Sequence, residues 1–251
     1  MKAVILAAGM GSRLKSLTEK IPKGLLKIDQ KPLLKHSLDT LKRSDVSEVI
    51  FVVGYRGELI IREFGAQYKN LKIRYVKNES FSATGSMYSF SQAKDLIDDD
   101  ILLLESDLLY ESKAIDALLT APSKDALLIA GLLNSGDDVY VCADAKDRVT
   151  YIGKTLKKEY KNNVKGALVG ISKFSRSFLR RLFEKAANDY ANNERNYHYE
   201  ECVLETSLQG NPVDVVLSNN LNWIEVDTEH DYKRAKEEIY PRIKGGNNGC
   251  N

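Results

Sequence analysis

Val4-Ile5-Leu6-Ala7-Ala8-Gly9-Met10-Gly11-Ser12-Arg13-Leu14, followed downstream by Pro22-Lys23-Gly24, is the most informative stretch of this 251-residue chain. Four apolar residues from Val4 to Ala7 read as a strand buried on both faces. Glycines directly after such a strand let main-chain N–H groups approach an anion closely. Arg13 and Lys23 add mobile positive charge within reach of the same loop. The combination reads as a phosphate cradle, and two common versions of it are excluded. The P-loop pattern Gly-x-x-x-x-Gly-Lys-Ser/Thr is absent, and the dinucleotide fingerprint needs glycine where Leu14 stands. The two glycines by themselves fit a plain strand-to-helix turn equally well; Arg13 and Pro22-Lys23 favour the anion.

Outward from this loop, strand and helix patterns alternate. Apolar runs at Val49–Val53 and Ile101–Leu104, with Lys72–Val76 between them, read as strands. Pro32–Leu41, Gly57–Tyr68 and Thr84–Ile97 read as helices, Thr84 being a natural N-cap. Repeated strand–helix alternation implies right-handed crossovers and an α/β fold. The expected architecture is a mostly parallel sheet sandwiched by helices. From about 126 to 171 the rhythm changes to short strands (Leu127–Leu133, Val139–Ala143, Val149–Gly153, Ala167–Ile171) separated by polar turns such as Asn134-Ser135-Gly136-Asp137, which predicts a small antiparallel subregion joined to the parallel sheet. Helices at Phe174–Tyr190 and Tyr197–Gln209, strands at Val213–Leu217 and Trp223–Val226, and a last helix over Thr228–Tyr240 follow. Residues 1–243 thus read as one domain. Residues 244–251, rich in glycine and asparagine, read as a flexible tail or truncated linker.

Asp107 follows the strand Ile101–Leu104 at its carboxyl end, where open α/β sheets place ligands. Asp227 stands the same way after Trp223-Ile224-Glu225-Val226. Two carboxylates at that edge can hold Mg²⁺, a hard ion that takes oxygen ligands and bridges phosphate oxygens. The same residues also fit a turn aspartate and a simple N-terminal helix cap, Thr228 and Asp231 having capping-box form. Glu225 is a third candidate ligand, or only points across the strand.

Composition removes several functions. Lys plus Arg total 37 and Asp plus Glu 35, a net charge of +2, which gives no drive toward nucleic acid or an anionic membrane. No apolar run reaches the roughly 20 residues of a membrane span. Cys142, Cys202 and Cys250 are scattered and odd in number, so neither a disulfide framework nor a zinc site is indicated and a cytoplasmic setting is expected. His36, His198 and His230 stand in helical, charge-rich contexts, without a nucleophile elbow.

The segment Leu-Ala-Ala-Gly-Met-Gly-Ser-Arg-Leu, with Leu17-Thr18 and Pro22-Lys23, resembles the signature of nucleotidyltransferases that join a nucleoside triphosphate to a phosphorylated small molecule. The resemblance extends from Lys2 to the helix after Asp227. Val53-Gly54-Tyr55, Thr84-Gly85-Ser86-Met87-Tyr88-Ser89 and Trp223-Ile224-Glu225-Val226-Asp227 look most like the phosphocholine and 2-aminoethylphosphonate cytidylyltransferases. This likeness implies a Rossmann-like three-layer sandwich with a mostly parallel mixed sheet, in which about 126–215 form a small antiparallel substrate-binding subregion for the acceptor. It also implies CTP as donor, release of pyrophosphate, and Asp107 and Asp227 as Mg²⁺ ligands. In such an enzyme Arg13 would hold the β- and γ-phosphates and Lys23 the α-phosphate or the incoming oxygen. Leu6, Ala8, Gly9, Gly11 and Ser12, with the loop Ser82-Ala83-Thr84-Gly85-Ser86, would take the nucleotide. Cytosine as the base comes from the resemblance alone.

Lys154 is similar in placement to the family lysine that grips the acceptor's phosphate; a solvated lysine in a basic run is the competing description. A phosphonate or phosphomonoester has a second pKa of about 6, so its oxygen attacks already charged and no protein base is required. For the acceptor's head group the candidates are Tyr140, Asp144, Tyr197, Tyr199, Glu200, Glu201 and Trp223. Adjacent glutamates suit a primary amine with three hydrogens to donate, whereas choline gains from aromatic faces. The balance favours 2-aminoethylphosphonate over phosphocholine. A sugar-1-phosphate nucleotidyltransferase and a non-catalytic nucleotide-binding module are the rival readings. Fusion to, or association with, another enzyme of the pathway is a further expectation.

Overall fold

The protein is described by a computed structural model covering residues 1–132 and 138–246. In chain order the strands are β1 (Lys2–Ala7), β2 (Lys27–Ile28), β3 (Lys31–Pro32), β4 (Glu48–Val53), β5 (Gln67–Tyr68), β6 (Leu71–Lys77), β7 (Ile101–Glu105), β8 (Leu108–Tyr110), β9 (Ala126–Ala130), β10 (Tyr140–Ala143), β11 (Val149–Gly153), β12 (Val164–Phe174), β13 (Asp214–Leu217) and β14 (Trp223–Glu225). The α-helices are α1 (Leu33–Leu41), α2 (Gly57–Phe64), α3 (Ser86–Ser91), α4 (Lys113–Thr120), α5 (Arg176–Ala191), α6 (Tyr199–Leu208), α7 (Glu229–Arg234) and α8 (Tyr240–Gly246).

One sheet runs in the order β11-β10-β12-β7-β1-β4-β6-β5, with β9 and β13 branching from β12. Its centre, β7-β1-β4-β6, is parallel. β12 joins antiparallel to β7 and carries β10 and β9, also antiparallel, so the subregion expected after residue 126 is continuous with the parallel sheet. Side-chain alternation explains the two layers of helices. Ala3, Ile5, Phe51 and Leu104 pack with Leu34 and Leu38 of α1, Ile60 of α2 and Ile115 of α4. Val4, Leu6, Val52 and Leu103 pack on the other face with Phe90 of α3, Leu182 of α5 and Val203 of α6. No helix among the described residues is long and apolar enough to cross a membrane.

Several boundaries differ from the sequence reading. The helix expected over Gly57–Tyr68 stops at Phe64, and Gln67–Tyr68 folds back onto β6. The helix expected from Thr84 begins at Ser86; the Thr84 hydroxyl instead donates to the Ser80 carbonyl (2.9 Å) and accepts from Asn78 Nδ2 (3.0 Å). The sequence reading did not include helix α4, which Ser112 precedes and Pro122 follows. The helix after Thr228 continues through a π-turn at Ala235–Ile239 into α8, so residues 244–246, expected as tail, are helical. The turn 134–137 and residues 247–251 lie outside the described residues.

Asp39 ties α1 to the sheet edge. It accepts from Lys31 Nζ (2.6 Å), Lys69 Nζ (2.8 Å) and the Tyr68 hydroxyl (2.8 Å). Burial opposes its charge, but these donors outweigh burial and hold its carboxyl well below the usual range. A depressed folded pKa means the stabilisation is complete above the unfolded value of about 4 and is lost as pH falls below it. Asp39→Asn is therefore expected to lower stability by about 1 kcal/mol at pH 7, as read by urea melts. The gap from wild type should close in melts below about pH 4.

Candidate active site

Two strand ends and two loops meet at the carboxyl edge of the parallel strands. β1 delivers Ala8 to Gly11, and its Leu6 is in register with Glu105 at the end of β7. After Glu105 the chain turns through Ser106-Asp107 into β8, which pairs antiparallel with β14. Glu225 lies opposite Leu108, and the Val226 N–H donates to the Asp107 carbonyl (2.9 Å). This pairing carries Asp227 to Asp107 from a distant part of the chain. Pro22-Lys23-Gly24 seats against the same turn. A side chain at Gly24 would place its Cβ 2.6 Å from Leu34 Cγ and 3.2 Å from the Ser106 carbonyl oxygen, so only glycine lets Lys23 sit this close.

The Lys23 ammonium donates to Asp107 Oδ2 (2.8 Å) and to Asp227 Oδ1, and Arg13 pairs with Asp227 Oδ2. Burial lowers the affinity of Lys23 for its proton, but the charges of Asp107 and Asp227 outweigh burial and hold it firmly cationic. Burial likewise opposes the charge on Asp227, yet Lys23 and Arg13 keep its carboxyl below the ordinary value. Glu105, Asp107 and Glu225 each bring a carboxylate oxygen within 4.8 Å of the others. Burial first, then the charges of Asp107 and Glu200, push Glu105 up to about 8. Burial, then Asp107, Glu105 and Asp227, push Glu225 up to about 10. The carboxylates therefore outnumber the cations that neutralise them.

These groups line a cleft of about 350 Å³. Of the residues singled out in the sequence, Leu6, Ala8, Gly9, Gly11, Arg13, Lys23, Thr84, Gly85, Ser86, Asp107, Lys154, Tyr199, Glu200, Glu225 and Asp227 are on its wall. Ser12, Ser82 and Ala83 are exposed residues beside it. Asp144 closes the turn after β10, accepting from the Lys146 and Arg148 amides and pairing with the Arg148 guanidinium. The Tyr197 hydroxyl donates to Asp189 (2.7 Å), and Glu201 accepts from the His198 amide (2.9 Å) as half of a capping box. Trp223 is 5% exposed in the core, opposite Tyr110, and Tyr140 is held in β10 between β11 and β12. Those five candidates for the acceptor's head group are thus not on the cleft wall. Glu105, Phe81, Asn196 and His198 are, and they had not been singled out. Glu105 carried a readable signal, an acid ending an apolar strand two residues before Asp107. The others carried none.

Residues 3–189 match the MobA-like NTP transferase domain. The CMP-5'-(3-aminopropyl)phosphonate synthase of Streptomyces rubellomurinus is 30% identical over 245 residues, covering 96% of this chain and 39% of that protein. A UTP–glucose-1-phosphate uridylyltransferase of Haloferax volcanii is 35% identical over 118 residues, 47% of this chain and 48% of that one. The chain thus spans half or less of the length of these curated relatives. Among solved structures, the inositol-1-phosphate CTP transferase from T. maritima superposes with a TM-score of 0.78 at 21% identity, over 98% of this chain and 96% of that one, a likeness of fold.

Proposed function

The chain belongs to the MobA-like NTP transferase family of nucleotidyltransferases, and from that premise we propose that it transfers CMP from CTP to a small amino-alkyl phosphonate or phosphate, 2-aminoethylphosphonate above others. The observation that carries this is the Lys23 ammonium shared by Asp107 and Asp227 at the glycine loop, in the same cleft as Lys154 and Glu200. In the reaction the acceptor oxygen forms a bond to the α-phosphorus of CTP. The bond from that phosphorus to the bridging oxygen breaks, and pyrophosphate leaves in line. Positioning and charge dominate such chemistry.

Main-chain groups at Ala8 and Gly9 and the turn Thr84–Ser86 bind the nucleoside. Arg13 takes the β- and γ-phosphates, and Lys23 neutralises the α-phosphate as the acceptor oxygen closes on it. Lys154 holds the acceptor's phosphonate. Mg²⁺ fits the donors present: they are all oxygens, and Asp107 Oδ1 is shut from solvent with no hydrogen-bond partner among the described residues. Glu105, Asp107 and Glu225 would hold the ion, with Asp227 beside them; bound there, it would supply Lewis-acid stabilisation of phosphate charge.

An amine is favoured over a quaternary ammonium because Glu200 faces the cleft, whereas of the four aromatic candidates only Tyr199 does, and its ring is buried in the core. On the same reading residues 126–215 serve the acceptor within a domain of residues 1–243, and CTP and the acceptor are the partners. The uridylyltransferase relative keeps a sugar-1-phosphate as the second reading.

Incubation with each nucleoside triphosphate and a panel of acceptors, followed by pyrophosphate release, tests the proposal. The expected result is turnover with CTP and 2-aminoethylphosphonate, weaker turnover with phosphocholine, and none with sugar phosphates. Turnover with sugar phosphates alone would replace it. Nucleotide binding without turnover would indicate a non-catalytic module.

A further inference from the structure

Glu105 is held by one residue and given room by another. The Tyr199 hydroxyl donates to Glu105 Oε1 at 2.9 Å. On the other side lies Gly170, where a Cβ would stand 3.0 Å from the Glu105 carboxyl carbon and 3.2 Å from Oε2. Gly170 has φ +79°, at the point where β12 changes register between Leu168 and Ser172, so a side chain there is strained as well as crowded. Tyr199 begins α6 and is 1% exposed, its ring locked into the core with Cys202 and Val203. The ring is fixed by packing, so its hydroxyl arrives at Glu105 without further ordering.

This clamp has a physical task. Glu105, Asp107 and Glu225 hold oxygens within 4.8 Å of one another, and in the ionised form that a cation requires, like charges at that separation repel. Glu105 ends a strand, and its side chain would otherwise relax by rotating away from Asp107. A donated hydrogen bond on Oε1 opposes that rotation, and the missing side chain at Gly170 leaves free the space the carboxylate occupies while it faces its two neighbours. We propose that Tyr199 and Gly170 are positioning residues that hold Glu105 as an oxygen donor to a divalent cation shared with Asp107 and Glu225. The inference rests on the cation reading given above and extends it to two residues of the cleft wall that act through Glu105. The helix bearing Glu200 on the acceptor side thereby also orders the cation side.

Mn²⁺ binding to the full chain, measured by electron paramagnetic resonance without nucleotide, provides the test. Hydrogen-bond partners of metal ligands typically contribute 10–100-fold to affinity. Tyr199→Phe, which keeps the ring and its packing, is expected to weaken Mn²⁺ binding about 10-fold. Its thermal melt in chelator should stay close to wild type, which separates positioning from general stability. In a Glu105→Gln background the same substitution should change the affinity little, because the group it orients is gone. Unchanged affinity in Tyr199→Phe alongside a loss in Glu105→Gln would overturn the positioning role while leaving the cation reading intact. Wild-type protein that binds no Mn²⁺ would overturn both.

Discussion

Asp107→Asn is expected to cut pyrophosphate release by about 10³-fold while leaving the fold in place. The asparagine side chain has nearly the same size, and the carbonyl that receives the Val226 amide is main chain, so the β8–β14 pairing survives. Lys23 keeps its contact with Asp227. What disappears is one full negative charge from the cluster with Glu105 and Glu225, together with the orphaned oxygen Oδ1. Removing one group that stabilises charge in a transition state typically costs 10²–10³-fold, about 3–4 kcal/mol. Steady-state pyrophosphate assays with melts on the same samples read both quantities. Activity near wild type in a folded variant would refute the placement of the reaction at this edge.

Lys23→Met should be the most destabilising change at the site and should also abolish turnover. Methionine retains an unbranched stem but removes the ammonium from between Asp107 and Asp227, whose side chains are only 13% and 5% exposed. Breaking a buried pair by deleting one partner leaves uncompensated charge and costs about 3–5 kcal/mol, roughly 10 °C in melting temperature for a chain of this size. The pH dependence has a definite sign. Glu105 at about 8 and Glu225 at about 10 retain protons that the unfolded chain releases near pH 4.5. Stability therefore falls as pH rises through that window. Without Lys23 the carboxyls hold their protons more tightly still, so the deficit from wild type should be larger at pH 9 than at pH 6. Added Mg²⁺ should recover part of it by binding only the folded state. Melts at the two pH values, with and without the ion, check each point.

How much was legible in the chain depended on how local each signal was. The runs Val4–Ala7, Val49–Val53 and Ile101–Leu104 became β1, β4 and β7 because a strand buried on both faces needs continuous apolar character. The antiparallel change after residue 126 was legible from short strands and polar turns. The head-group side was much less so. Glu200 and Glu201 are adjacent and chemically identical, yet successive helix positions point about 100° apart. One lines the cleft and the other caps its own helix. Tyr197, Tyr199 and Trp223 carried the same promise as aromatic faces, but packing committed them to Asp189, Glu105 and the core.

From its sequence alone this protein had an alternating α/β order, a glycine loop with Arg13 and Lys23 beside it, and acids placed after apolar strands. Those features depend on neighbours a few residues away, where periodicity and turn chemistry act. Tertiary structure decided which acids meet. The short strands Leu108–Tyr110 and Trp223–Glu225 pair across the molecule, and that register sets Asp107, Glu225 and Asp227 around Lys23. Tyr199 reaches Glu105 from a helix of the opposite layer. Such convergence is fixed by long-range strand pairing and core packing, which no local pattern encodes.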